Sequence, residues 1–224
     1  MSLDQSTKMN FRHHLILASS SPRRQFLVRE AGFTFDVQKP DVEEDFPGTM
    51  KAEDVPLFLA SKKADFFKPK ENEIILTADT IVVIGGVILN KPADRDEAIR
   101  MLKTLSGNTH KVFTGVCISS STKRKLFHEE TDVTFRDLKT EEIEYYVDQF
   151  KPFDKAGSYG AQECLPPGMN PCSPDEIAFL EKIGKQNLAV VESKGVSIIK
   201  QIAGSYFNVM GLPIHRVYYE LHSF

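Results

Sequence analysis

The stretch Ser19-Ser20-Ser21-Pro22-Arg23-Arg24 follows directly on a short apolar run, Leu15 to Ala18. Three hydroxyls and two guanidiniums placed where a strand hands over to a helix make the pattern of an anion site. The first turn of a helix has backbone N–H groups without partners and the positive end of the dipole. Ser19 and Ser21 can add donors, and Arg23 and Arg24 each offer a planar fork suited to phosphate oxygens. The same residues also read as a Ser-Pro helix cap with two solvated arginines, and residue types alone leave both readings open. Asp79, in Thr77-Ala78-Asp79-Thr80, stands between two apolar β-branched runs. A carboxylate is costly to bury there unless something repays it. It is either a turn aspartate bonding its own backbone or a general base or metal ligand. Glu44, in the acidic run Asp41 to Asp45, is a second carboxylate candidate, or a solvated loop charge. Lys91-Pro92 and the loop Asp154 to Gln162, which contains Lys155, combine cations with small residues that let a ligand approach the backbone. Their structural alternative is a tight turn with a surface ion pair.

The elements that would have to position these groups can be read from periodicity. Leu15 to Ala18 reads as a buried strand, and Ser21-Pro22 as a helix start with serine able to cap and proline in the first turn. Thr34 to Val37 reads as a strand and Ala52 to Phe67 as a helix, with Val55, Phe58, Leu59 and Phe66 on one side. Glu73 to Ala78 and Ile81 to Leu89 read as strands, the second turning at Gly85-Gly86. Asp94 and Glu97 open a helix that runs to Leu105 and stops at Ser106-Gly107. Lys111 to Ser119 and Glu130 to Phe135 read as strands joined by the basic loop Lys123-Arg124-Lys125. Helices follow over Glu141 to Phe150, Ser173 to Ile183 and Pro213 to Leu221, and a strand over Val196 to Ile202. Gly204-Ser205-Tyr206 and Gly211-Leu212-Pro213 read as structural turns. Phe58, Phe66, Tyr145 and Tyr146 fall at helical spacings and are expected in the core. Strands and helices alternate without repeats, which predicts an α/β fold built on a mixed twisted sheet with flanking helices.

The whole chain sets limits on function. It has 224 residues, 41% of them hydrophobic and 26% charged, with a formal net charge of -3. That balance gives no global attraction to nucleic acid or anionic lipid, so affinity for phosphate has to be local. Three cysteines without paired or zinc-ligand spacing argue against a disulfide framework and fit reduced thiols in a cytoplasmic protein. No apolar run is long enough to span a membrane. One domain is expected over 15–224, after a disordered tail over 1–14 and with an insertion at about 163–193.

Taken in chain order, the motifs resemble those of the Maf family of nucleoside triphosphate pyrophosphatases. They are Ser19 to Arg24, Ala78-Asp79-Thr80, Lys91-Pro92, Leu105-Ser106-Gly107 with His110, Thr114-Gly115-Val116, Asp154 to Gly160, and Gly204 to Val209 before Gly211-Leu212-Pro213. The resemblance implies a deep nucleotide-binding cleft and hydrolysis of a nucleoside triphosphate to monophosphate and pyrophosphate. It implies help from a divalent cation, magnesium or manganese, with Asp79 and Glu44 as candidate ligands. It also implies Asp79 as proton acceptor and Arg23, Arg24, Lys63 and Lys91 as phosphate contacts. Arg23, Thr80 and Gln162 match the branch acting on dTTP and UTP, and a homodimer is a further expectation. Gln162 would read a pyrimidine edge, and the insertion behind it could cover the base. The rival reading is a nucleotide-binding regulator of cell division that does not hydrolyse. A nucleic-acid-binding module is disfavoured by charge.

Overall fold

The computed structural model describes residues 11–189 and 196–224. The first ten residues of the expected tail, and the end of the expected insertion at 190–193, lie outside that range. Within it, order begins earlier than the sequence suggests. Phe11 packs edge-on to Phe33, and His14 already belongs to the first strand, its Nε2 2.7 Å from Asp36 Oδ2.

The strands are β1 (His14–Leu17), β2 (Phe35–Val37), β3 (Glu73–Ile84), β4 (Val87–Leu89), β5 (Thr109–Ser119), β6 (Arg124–Phe135) and β7 (Ile199–Ala203). They form one sheet in the order β2-β1-β3-β5-β6-β7, with β4 beside β3. β1 pairs in parallel with β2 and β3, and the other pairings are antiparallel, so the sheet is mixed as expected. The helices are α1 (Pro22–Glu30), α2 (Val55–Asp65), α3 (Arg95–Leu105), α4 (Thr140–Phe150), α5 (Ala161–Cys164), α6 (Pro174–Ile183), α7 (Tyr206–Val209) and α8 (Ile214–His222).

Side-chain alternation along β3 divides the core. Ile74, Leu76, Ala78 and Val82 face the main core, which includes residues of α1, α3, α4, α6 and α8. Ile75, Ile81 and Val83 face the other way; Ile81 and Val83 meet Val55 and Leu59 of α2. Helix α2 lies on β3 and β5, where Thr77 Oγ1 donates to the Ala60 carbonyl at 2.6 Å. Its outer residues correct one expectation. Phe58 and Phe66 are 37% and 51% exposed, and Tyr145 on α4 is 59% exposed: Phe58 and Tyr145 lie off the buried stripes of their helices, and Phe66 falls just past the end of α2. Tyr146 is fully buried.

Three further boundaries differ. β3 is continuous through Asp79, so that residue sits inside a strand and not in a turn. The hairpin does turn at Gly85-Gly86, both at positive φ. β6 starts at Arg124, since eleven register pairs with β5 carry the ladder across the supposed basic loop. Residues after Ser205 form the short helix α7, capped by the Ser205 side chain accepting from Asn208 N–H.

Candidate functional site

The site arises from a gap in the sheet. β1 pairs with β3 only as far as Leu17 opposite Leu76, and β4 takes up the same edge from Val82 onward. Between them the edge of β3 at 77–81 has no strand partner among the described residues. The chain leaves β1 at this point, passing through Ser19–Ser21 into α1, while β2 and β3 flank β1 on opposite sides. Open α/β sheets bind ligands at such a reversal, outside the carboxyl ends of their parallel strands. Here the gap opens into a cleft of about 780 Å³.

Period-two alternation sends Asp79 and Thr80 to opposite faces of β3, and each meets a basic partner. Asp79 points towards α2, where Lys63 Nζ donates to its Oδ1 at 2.5 Å. Both side chains are almost fully buried; Asp79 is 7% exposed. Lys63 also reaches Glu44 Oε1 at 2.8 Å, so one ammonium holds both candidate carboxylates. Lys91 adds a longer contact to Glu44 Oε2 at 3.5 Å. Burial pushes the Glu44 carboxyl up, but hydrogen bonds and charge from Lys63 and Lys91 outweigh it and bring it below its ordinary value.

A glycine permits this approach. Asp79 pairs with Gly115 of β5, on the face covered by α2. A Cβ on Gly115 would lie 2.3 Å from the Pro56 carbonyl carbon and 2.5 Å from Leu57 N. The helix can therefore settle close enough for Lys63 to reach the strand.

On the other face, Arg24 NH2 donates to Thr80 Oγ1 at 3.0 Å, NH1 to Ala78 O at 2.8 Å and Nε to Gly211 O at 2.7 Å. Arg24 thus fills the missing strand partner of Ala78 and ties the residues on both sides of Asp79, one by its carbonyl and the other by its hydroxyl, to the C-terminal turn. Three of its five donors serve that brace, which distinguishes it from Arg23. Among the described residues the Arg23 guanidinium makes one long ionic contact, 3.7 Å, to Asp154. Gly211, expected to be purely structural, contributes a working carbonyl. The serines also divide roles: Ser19 Oγ accepts from Ser21 N–H at 3.2 Å, and Ser21 makes no capping bond with its side chain.

All but one of the residues singled out by sequence line the cleft: Ser19, Ser21, Arg23, Arg24, Glu44, Lys63, Asp79, Thr80, Lys91 and Lys155. Gln162 does not. Ala161, which does, is the first residue of α5, and the next side chain on a helix points about 100° away. No residue of 163–189 lines the cleft either. Lys39 and Asn90, which sequence did not single out, also line it, as does Asp154 at the head of the loop that carries Lys155; Lys39 directly precedes a proline just beyond β2, a position at the carboxyl end of a parallel strand. In total six lysines and arginines face three carboxylates in the cleft of a chain whose net charge is -3. The wall beside Lys155 includes Tyr159, whose hydroxyl meets His110 Nε2 at 2.8 Å in the buried core. Burial pushes the His110 imidazole down to about 4, against a small opposing pull from Asp132.

A profile described as "Maf-like protein" matches residues 14–167. The chain belongs to the Maf family. Among relatives, a "dTTP/UTP pyrophosphatase" of Porphyromonas gingivalis is 40% identical over 218 residues, covering 95% of each chain. One of Phocaeicola vulgatus is 41% identical over 213 residues, covering 94% of this chain and 95% of its own. One of Flavobacterium johnsoniae is 39% identical over 209 residues, covering 92% and 93%. A solved HAM1 protein from Coxiella burnetii aligns at a TM-score of 0.41 and 16% identity, covering 79% of this chain and 96% of its own, too distant to bear on fold or function. Among the described residues no helix is long and apolar enough to cross a membrane.

Proposed function

We propose that this Maf-family protein hydrolyses dTTP and UTP to the nucleoside monophosphate and pyrophosphate. The observation that carries the reading is Asp79, an acid at the floor of a cation-lined cleft, held by a lysine that also holds Glu44. The reaction is a problem of charge: water attacks the α-phosphorus of a highly anionic tail while pyrophosphate leaves. Arg23, Lys91 and Lys155, with Ser19 and Ser21, line the cleft and in this reading meet that tail. Asp79 Oδ1 is fixed by Lys63, and Oδ2 makes no protein hydrogen bond among the described residues, leaving it to take the proton of the attacking water. Family membership and the names of the relatives favour hydrolysis over nucleotide sensing alone.

The donor set also suits a divalent cation that arrives with the substrate. Among the described residues no group of three His, Cys, Asp or Glu side chains forms a resident metal site. Two carboxylates, Asp79 and Glu44, converge on one positive centre, and magnesium is commonly held by one or two carboxylates together with substrate phosphates. When bound, such an ion would neutralise phosphate charge and orient the leaving group.

The test is pyrophosphate release from UTP, dTTP, CTP and GTP, with and without magnesium, by the wild-type protein and Asp79→Asn. The expected result is magnesium-dependent release from UTP and dTTP, lowered about 100-fold or more in the variant. Failure of the wild-type protein to release pyrophosphate from any of them would overturn the reading.

A further inference from the structure

The segment carrying α6 does not reach the cleft, yet it contains a fully buried carboxylate, Glu176. Its Oε1 accepts from Ser205 Oγ at 2.6 Å and Phe207 N–H at 2.8 Å. Its Oε2 accepts from Tyr206 N–H at 3.1 Å and Ser173 N–H at 2.8 Å. Four donors on one carboxylate explain how it is tolerated in the core. They also join α6 to the start of α7.

From there a chain of hydrogen bonds, buried as far as Thr114, runs to the cleft floor. Ser205 Oγ accepts from Asn208 N–H at 2.9 Å, and the Asn208 carbonyl accepts from Thr114 Oγ1 at 3.0 Å. Thr114 Oγ1 lies 2.9 Å from Thr80 Oγ1. Each hydroxyl has one proton: Thr114 gives its own to Asn208, and Thr80, with Thr114 Oγ1 at 2.9 Å and Gly211 O at 3.4 Å as acceptors, gives its own to the nearer Thr114. Thr80 then accepts from Arg24, whose Nε ends on Gly211 O, and Gly211 N–H returns to the Asn208 carbonyl at 2.9 Å. The links from Glu176 to Thr114 are buried and those at Thr80 and Arg24 half-buried; apart from the covalent step across Asn208 each is a hydrogen bond, and a broken one leaves a group unpaired away from bulk water.

We infer that Glu176 is a positioning residue for the reaction: through Ser205, Asn208 and Thr114 it sets Thr80 and Arg24, and hence the placement of Asp79. This rests on the pyrophosphatase reading for its kinetic consequence and on geometry for its structural one. Ser19, Arg23, Lys91 and Lys155 are not links of the chain, so loosening it acts on the chemical step more than on substrate affinity.

The test compares Glu176→Ala, Glu176→Gln, Thr114→Val and the double variant Glu176→Ala/Thr114→Val, each shown folded by circular dichroism and assayed below its unfolding transition. Glu176→Ala is expected to lower kcat for UTP by about tenfold or more with KM within about threefold, since small misplacements at a reacting centre act on kcat. Glu176→Gln keeps an acceptor for Ser205 and Phe207 and is expected to recover most of that loss. Thr114→Val cuts the same chain, so the double variant is expected to be no slower than the worse single variant. By NMR, the Arg24 Nε–H signal is expected to shift and lose protection in Glu176→Ala. That arm needs no turnover, so it decides the inference even if the wild-type protein proves inactive on nucleotides. A folded Glu176→Ala with kcat within twofold of wild type, losses that multiply in the double variant, or an unchanged Arg24 signal would overturn it. Should Glu176→Ala not fold, Ser205→Ala severs the same first link and is judged by the same outcomes.

Discussion

Substituting Gly115 by alanine tests whether the spacing between α2 and β3 makes the site. Gly115 has an ordinary φ, so the demand at this position is for space and not for conformation. The added Cβ would stand 2.3 Å from the Pro56 carbonyl carbon, 2.4 Å from its oxygen and 2.5 Å from Leu57 N, all backbone atoms that no rotamer change can move. Carbon atoms rest at about 3.5 Å or more, so α2 has to retreat by about 1.2 Å. Lys63 rides on that helix. Its 2.5 Å contact to Asp79 would open to about 3.7 Å, beyond hydrogen-bond reach. Overpacking of this kind costs about 1–3 kcal/mol in stability, and a misplacement of about 1 Å near the chemistry costs about 100-fold in rate. The expected Gly115→Ala protein is folded, unfolds at lower urea concentration and releases pyrophosphate from UTP about 100-fold more slowly. Both quantities come from one preparation, by urea titration and a pyrophosphate assay. Wild-type turnover alongside an unchanged urea midpoint would refute the claim that close helix–strand approach builds the acid's environment.

Loss of the acid itself, in Asp79→Asn, is expected to leave the urea midpoint within about 1 M of wild type while turnover falls about 100-fold, so activity and stability measured together separate chemistry from folding. His110 predicts a pH effect. Its folded value of about 4 lies below its ordinary 6.5, so the unfolded chain binds a proton first as pH falls, and stability present above 6.5 is lost between 6.5 and 4. The whole window amounts to about 3 kcal/mol, and His110→Gln is expected to flatten that part of the urea-midpoint profile. Glu129, pushed up to about 7 by burial and the nearby Glu176 charge, titrates in the same range but is common to both proteins. Equal slopes between pH 7 and 5 in the two proteins would remove His110 from the account. Gln162 does not line the cleft, so Gln162→Ala is expected to leave the dTTP-to-GTP preference within about twofold; a tenfold change would show that its amide turns inward to read the base.

Much of the site was legible because its chemistry is local. A strand running into Ser-Ser-Ser-Pro-Arg-Arg announces a helix N-terminus with donors, and Ala78-Asp79-Thr80 announces a carboxylate where apolar burial should forbid one. Element types were legible for the same reason, since periodicity and capping act within a few residues. Phe58, Phe66 and Tyr145 were misplaced because apolar spacing tells which residues share a helix face but not how wide a stripe the neighbouring sheet will cover. The brace between Arg24 and Gly211 was not legible, because a carbonyl becomes a hydrogen-bond partner only when a residue far along the chain is folded onto it.

The sequence by itself determined the alternation of strands and helices, pointed to Asp79 and to five of the six cations that line the cleft, and showed the shortage of any global charge that would draw nucleic acid. The tertiary structure decided what those groups do together. It left a gap in the sheet between β1 and β4, gave one lysine to two carboxylates, turned one of two adjacent arginines into a brace, and tied a remote glutamate to the floor. These are contacts between residues distant in sequence, set by strand order and by how closely a helix can approach a glycine, and no local pattern encodes either.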